Sequence, residues 1–161
     1  RTLAEDGTLG PAPSRRSFAG QGFTDWTSGR QDRRTEWTWA AGAGHTADGR
    51  RVGINLSTGM NAHSVGEDVL WVDGVPHALT ADESWGPLDA DDPEGPWRIA
   101  GEGWQLDLTP TGLMRKDEDY RVVRASYVQP LGTWRGTLPM PEGGVAEVVL
   151  HGVAEDHEAT W

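Results

Sequence analysis

Apolar and polar residues alternate along much of this chain with a period of two, the pattern of strands half buried in a sheet. Residues 33–41 are the first clear case: Trp37 and Trp39 are two apart and share a face. Ala47-Asp48-Gly49-Arg50 follows, and then Val52, Ile54 and Leu56 alternate with Gly53, Asn55 and Ser57. Asp-Gly between alternating segments predicts a hairpin, because a type I′ turn needs positive φ at both central residues. A two-residue loop of Asp48 and Gly49 pairs Ala47 with Arg50, and hence Ala43 with Ile54, Ala41 with Leu56 and Trp39 with Thr58. This register gathers Trp37, Trp39, Ala41 and Ala43 with Val52, Ile54 and Leu56. It leaves Thr38, Gly42, Gly53, Asn55 and Ser57 on the opposite face.

The same device recurs at Asp73-Gly74, between Val69-Leu70-Trp71-Val72 and Val75-Pro76-His77-Ala78-Leu79. Both faces of the first arm are apolar, which predicts a strand covered on both sides. Pro76 cannot donate to a ladder and belongs at an edge. Residues 80–96, with six acidic residues and three prolines, read as a long acidic loop. Trp97-Arg98-Ile99-Ala100 and the alternating Trp104, Leu106 and Leu108 flank a turn at Gly101-Glu102-Gly103. After a polar stretch, residues 120–129 read as a strand closed by Pro130. Residues 134–138 and 145–150 read as two more, ahead of a polar tail. Residues 1–22, rich in Gly and Pro, read as an irregular N-terminal segment, and 23–161 as a single β domain. A total of roughly eight to ten antiparallel strands with short connections suits an up-and-down barrel or a strongly curved sheet.

Composition agrees. The 161 residues include 22 Gly, 10 Pro and nine Trp, which favours turns and short strands and supplies large apolar side chains for a core or a ligand wall. The net charge of −11, with thirteen Arg and one Lys spread along the chain, excludes nucleic acid as an expected partner. There is no cysteine, hence no disulfide, thiol chemistry or Cys-based zinc site. No apolar run is long enough to span a bilayer and no leader is visible, so a cytoplasmic location is expected. The chain begins at Arg1, as a processed or truncated piece would.

Motifs of chemistry are sparse. Asn55-Leu56-Ser57-Thr58-Gly59 lacks the first Gly of a nucleophile elbow and lies on a strand. Gly20-x-Gly22 and Gly42-x-Gly44 have no βαβ unit around them. His45, His63, His77, His151 and His157 show no metal-ligand spacing, so no cofactor and no metal are expected. Glu155 and His157 share a face on a strand, where a carboxylate could orient an imidazole as general base; a solvated polar terminus is the simpler reading. Glu36 and Asp107 are expected to face solvent.

Taken in order, Gly22-Phe23-Thr24-Asp25-Trp26, Arg34-Thr35-Glu36-Trp37-Thr38-Trp39-Ala40, Asp48-Gly49-Arg50-Arg51-Val52-Gly53-Ile54-Asn55-Leu56, Glu67-Asp68-Val69-Leu70-Trp71-Val72-Asp73-Gly74, Gln129-Pro130-Leu131-Gly132 and Ala154-Glu155 with Trp161 are distinctive. Together they resemble the carboxyl-terminal half of a bacterial family, domain-of-unknown-function family 2804. The resemblance implies a lipocalin-like (calycin) β-barrel, similar to proteins that bind or transform hydrophobic small molecules, and supplies no activity. Asn55, Asn61, Glu67 and Glu155 fall where the family places polar residues. Asp68 stands where Asn is common, and Asp156-His157 where the family's tail varies.

Two functions are expected from this. The first is a binding module that holds a hydrophobic or amphipathic small molecule in an aromatic-lined cavity, with Trp37, Trp39 and Tyr127 as the wall. Asn55, on the other face in the register above, would not line it. The alternative is a cofactor-independent hydratase, isomerase or cyclase, with Glu67 and Glu155 as candidate catalytic carboxylates. A missing amino-terminal half and a second copy of the chain are the macromolecular partners left open.

Overall fold

The computed structural model describes Thr24 and residues 32–59, 68–82 and 84–160. Among these residues there is no helix. Nine strands form one sheet: β1 (Arg34–Thr46), β2 (Arg51–Thr58), β3 (Val69–Val72), β4 (Val75–Ala78), β5 (Ser84–Pro87), β6 (Trp97–Gly101), β7 (Trp104–Asp119), β8 (Arg124–Pro139) and β9 (Val145–Thr160). Their order is β4-β3-β2-β1-β9-β8-β7-β6-β5, and every neighbouring pair is antiparallel. Each strand therefore lies beside its sequence neighbour, the first joins the last, and the one break falls between β4 and β5. The result is an up-and-down sheet curled into a half-barrel. Edge strands β4 and β5 are four residues each and carry Pro76 and Pro87, which blunts them against further pairing.

The concave side holds the core. Leu56, Leu70, Val72, Trp97, Ile99, Leu106, Leu108, Trp134, Leu138 and Leu150 are all essentially sealed from water. The chain between the two edges packs here too: Leu79 is buried, and the Trp104 indole donates to the Thr80 carbonyl (3.2 Å). Curling needs close approach between strands at a few points. A Cβ on Gly152 would sit inside the carbonyl oxygen of Ala41 and 2.6 Å from the Cα of Gly42, so only glycine fits.

The two Asp-Gly hairpins differ. At Asp73-Gly74, Val72 pairs with Val75 and both turn residues have positive φ (52° and 86°), the expected two-residue turn. At Asp48-Gly49 the register is one residue away from the expected one. His45 pairs with Arg51, Gly42 with Ile54 and Ala40 with Leu56. Thr46 N bonds to the Arg50 carbonyl and Gly49 N to that of Thr46, each at 3.0 Å, leaving a three-residue loop with Gly49 at φ 92°. Thr46 causes the shift: its hydroxyl also accepts from Arg50 N (2.9 Å) and bonds the Asp48 carboxylate, closing the loop one residue wider. Because strand side chains alternate, the slip moves every side chain of one arm to the other face. Ala40, Gly42 and Gly44 face the core with Val52, Ile54 and Leu56. Trp37, Trp39 and Ala41 lie outside with Asn55.

Further differences concern strand limits. The polar stretch after Thr109 continues β7 to Asp119, past a bulge between Pro110 and Gly112. Residues 120–123 form a turn instead of a strand, and Pro130 lies inside β8, which runs on to Pro139. The tail is the second half of β9. Residues 84–87 of the acidic loop form β5. Trp71 is 37% exposed between buried Leu70 and Val72, so β3 is covered on one side only. Of the irregular N-terminal segment, residues 1–22 lie outside the described residues.

Candidate functional site

Strands β1, β9 and β8 lie side by side, and their registers set Trp37, His157 and Tyr127 in one row across the outer face. The His157 imidazole lies between the two larger rings. Its centroid is 3.8 Å from that of Trp37, tilted by 34°, and 5.3 Å from that of Tyr127, tilted by 38°. One step along β9 on the same face is Glu155, and there the polar contacts converge. Trp37 Nε1 donates to Glu155 Oε1 (3.0 Å) and Gln129 Nε2 donates to Glu155 Oε2 (2.6 Å). His157 Nδ1 lies 3.0 Å from Oε1 and, facing an acceptor-only group, donates to it. The side chains of Glu155 and His157 are 13% and 16% exposed, so this is not the solvated terminus that the tail's polarity predicts.

A carboxylate holding three donors is fully engaged. The far nitrogen of the imidazole is not: His157 Nε2 is buried and has no hydrogen-bond partner among the described residues. Leaving such an atom unpaired costs on the order of 1–3 kcal/mol. Trp85 and Trp134 also bury unpaired indole N–H groups, but both pack with the apolar core. Only His157 has its other nitrogen fixed by a carboxylate. With the proton on Nδ1, Nε2 presents a lone pair, the geometry of a hydrogen-bond acceptor or a general base.

Trp39 sits one step from Trp37 on the same face, opposite Glu155, and its indole donates to Asn55 Oδ1 (2.9 Å). The slipped register thus joins Trp39 and Asn55, which the two-residue loop would have separated. Both line a groove of about 240 Å³ together with Ala41, Ala43, Gly53, Trp71 and Thr24. A second, polar groove of about 300 Å³ is lined by Glu36, Asp156, Glu158, Ser126 and Val128 from the opposite face of the same strands, and it also reaches Tyr127 and His157. There partial burial, and then the charge of Glu36, raises the Asp156 carboxyl above its ordinary pKa. Glu36 faces solvent as expected. Asp107 is half buried and held by a two-pronged bond from Arg98 at 2.7 and 3.0 Å.

Of the residues singled out from sequence, Trp37, Tyr127 and Glu155 come together, with Trp39 and Asn55 beside them. Glu67 and Asn61 lie outside the described residues. Gln129 was not found from sequence. The available signal was its pairing position opposite Glu155, visible only once β8 is allowed to continue through Pro130. Among the described residues, no group of three His, Asp or Glu side chains could hold a metal ion. No helix among them is long and apolar enough to cross a membrane.

An all-antiparallel half-barrel with an aromatic–carboxylate–imidazole cluster on its outer face is thus the class of protein in hand. The chain matches the family described as "Domain of unknown function (DUF2804)" over residues 8–161, and it belongs to that family. No curated protein and no solved structure matches it.

Proposed function

We propose that this protein is a lipocalin-like binder of a small amphipathic molecule, taken up on the outer face of the half-barrel instead of inside it. Toward the end that holds Trp134 and Leu150 the concave side is filled by its own core, and we assign the ligand wall to Trp37, Trp39 and Tyr127 on the outer face of the other end. The observation that carries the reading is the buried, unpartnered Nε2 of His157 between two aromatic rings. A ligand hydroxyl or amide N–H reaching Nε2 would satisfy it, while the apolar body of the ligand lies along the groove beside Trp39 and Trp71. Native mass spectrometry of gently purified protein, followed by organic extraction, tests this. The expected result is a bound small molecule that His157→Phe releases; a ligand-free protein that also fails to bind amphipathic fluorophores overturns the reading.

The 3.0 Å contact between His157 Nδ1 and Glu155 supports a second reading, cofactor-independent proton transfer as in an isomerase or hydratase. Here Nε2 removes a proton from the bound molecule, and the Glu155 carboxylate stabilises the resulting imidazolium. Incubating the extracted molecule with protein in deuterium oxide should then place deuterium at a carbon position. Absence of that exchange leaves binding alone.

A further inference from the structure

The hairpin joining β7 to β8 ends in Tyr120-Arg121-Val122-Val123, a turn that satisfies its own backbone. Tyr120 N donates to the Val123 carbonyl and Val122 N to that of Tyr120, both at 2.9 Å, and Arg121 N donates to Asp119 Oδ1 (2.8 Å). Arg121 takes φ 69° to close it. With its polar backbone tied inward, the turn presents apolar side chains to water. Tyr120 is 64% and Val122 68% exposed, and Val123, Leu113 and Met114 on the same hairpin are exposed as well. An apolar run at an exposed tip is unfavourable unless something receives it.

Residues 115–124 carry four basic and three acidic side chains, a small positive excess in an otherwise acidic chain. Arg115, Lys116, Arg121 and Arg124 are four of only 14 basic residues in a chain of net charge −11. Nearby acids are engaged: Lys116 pairs with Glu118 (2.8 Å), Arg124 approaches Asp117 (3.8 Å), and Arg115 reaches Glu94 (2.9 Å). The Arg121 guanidinium has no ion-pair partner among the described residues. Beyond Leu108, the last residue of β7 paired with β6, the outer half of β7 has β8 as its strand partner, and the Arg115 side chain reaches back to Glu94. The tip therefore stands clear of a neighbouring strand on that side.

We propose that this tip docks on an anionic bilayer surface, with Tyr120, Val122 and Val123 entering the interface and Arg121 and Arg124 meeting lipid phosphates. A narrow wedge of two valines and a tyrosine offers too little flat area for a stable protein interface, which needs roughly 800 Å² per partner. A deformable lipid interface accepts such a wedge, tyrosine suits its headgroup level, and arginines are drawn to its negative potential. Tyr127 is three residues from Arg124, so the aromatic cluster lies about 10 Å along the strand from the tip. If the binding reading holds, on which this last step rests, the ligand is taken from the bilayer; the docking itself does not depend on it.

Flotation of the intact protein with phosphatidylcholine vesicles, with and without phosphatidylglycerol, tests the proposal. The protein should float with the mixed vesicles and far less with phosphatidylcholine alone. V122D/V123D should weaken binding by about tenfold or more, since each inserted valine loses its burial. R121E/R124E should weaken it too, and added salt should mimic that loss. Circular dichroism of both variants should match the parent. No flotation with either vesicle, or flotation of V122D/V123D equal to the parent, overturns the proposal. So does a tip variant that changes only the oligomeric state, which would assign the tip to a second copy of the chain. His157→Phe should float normally, so a failed ligand site and a failed membrane contact give different results.

Discussion

The two ends of β1, β8 and β9 bury opposite faces. Toward the end that holds Trp134 and Leu150, these residues and Val148 face the concave core, while Val149 and His151 look outward into water. Past Ala154 the order reverses. Glu36, Asp156 and Glu158 occupy the concave side, and Thr35, Trp37, Glu155, His157 and Ala159 are buried or half buried on the outer one. The switch falls on two adjacent rows, where Ala40 pairs with Ala154 and Ala41 with Val153, all four buried. At the first end burial serves cohesion: apolar side chains fill a concave surface, and the unpaired Trp134 indole N–H is sealed among them. At the second, buried groups are polar and held by one another, and one polar atom is left over. Stability should therefore dominate the response to substitution at the first end, and ligand binding at the second.

The largest effects are expected at the first end. Trp134→Ala removes a sealed side chain and should cost about 3–5 kcal/mol. Gly152→Ala should be of similar severity, because its Cβ meets the backbone of β1, which has no room to give. Urea denaturation measures both. If either variant keeps parental stability, the concave side is not the main core and the contrast between the ends collapses.

Next in size is Glu155→Ala. It orphans the Trp37 indole N–H, the Gln129 amide and His157 Nδ1 together, for a loss of roughly 2–3 kcal/mol. Glu155→Gln leaves one acceptor oxygen where two served, and should cost about 1 kcal/mol. A negligible cost for Glu155→Ala would mean that the donors find water readily and that the cluster is only a surface feature.

His157→Phe sharpens the comparison most, although its effect on stability is small. The ring stays between Trp37 and Tyr127, and the unpaired Nε2 disappears along with one bond to Glu155. Stability should remain within about 1 kcal/mol of the parent, while retention of the extracted ligand falls at least tenfold. A parallel loss of stability and ligand would reduce the site to a structural one.

How far this arrangement was legible in the sequence depends on the register. Alternation and turn chemistry identify the strands and the β class, because the period of two is local. The Asp73-Gly74 turn is legible for the same reason. At Asp48-Gly49 the dipeptide is identical, yet Thr46 adds a side-chain bond that favours the wider loop. One residue of slip then places Trp39 with Asn55 instead of with Leu56. The reversal of faces along β9 is harder still. Val153-Ala154 offers no polar residue to mark it, so Glu155, Asp156 and His157 read as an ordinary solvated tail. Only the positions of β1 and β8 on either side show which of the three is covered. Pro130 misleads in a comparable way: it ends a strand in isolation, but here it is sealed within β8.

The smallest predicted effect separates the two ends by sign. Asp156, on the concave side of the second end, is held above its ordinary pKa by partial burial, then by Glu36, and further by Glu158 and Glu155, with His157 opposing. The folded state thus keeps this proton at pH values where the unfolded chain has lost it. Stability falls as pH rises from the ordinary carboxyl range through the raised value, and the deficit persists at neutral pH. Asp73, at the Asp-Gly turn, is shifted the other way by the Arg51 backbone N–H and then by Arg50. Its contribution is present above the ordinary value and is lost as pH falls through the lowered one. At pH 7, Asp156→Asn should therefore raise Tm, and Asp73→Asn should lower it. Both differences should shrink in acid, where the parent carboxyls are protonated in either state. Thermal melts between about pH 3 and pH 8 read this directly. A decrease in Tm for Asp156→Asn at neutral pH would mean that Asp156 is favourably paired, and that the second end holds its charge at no cost.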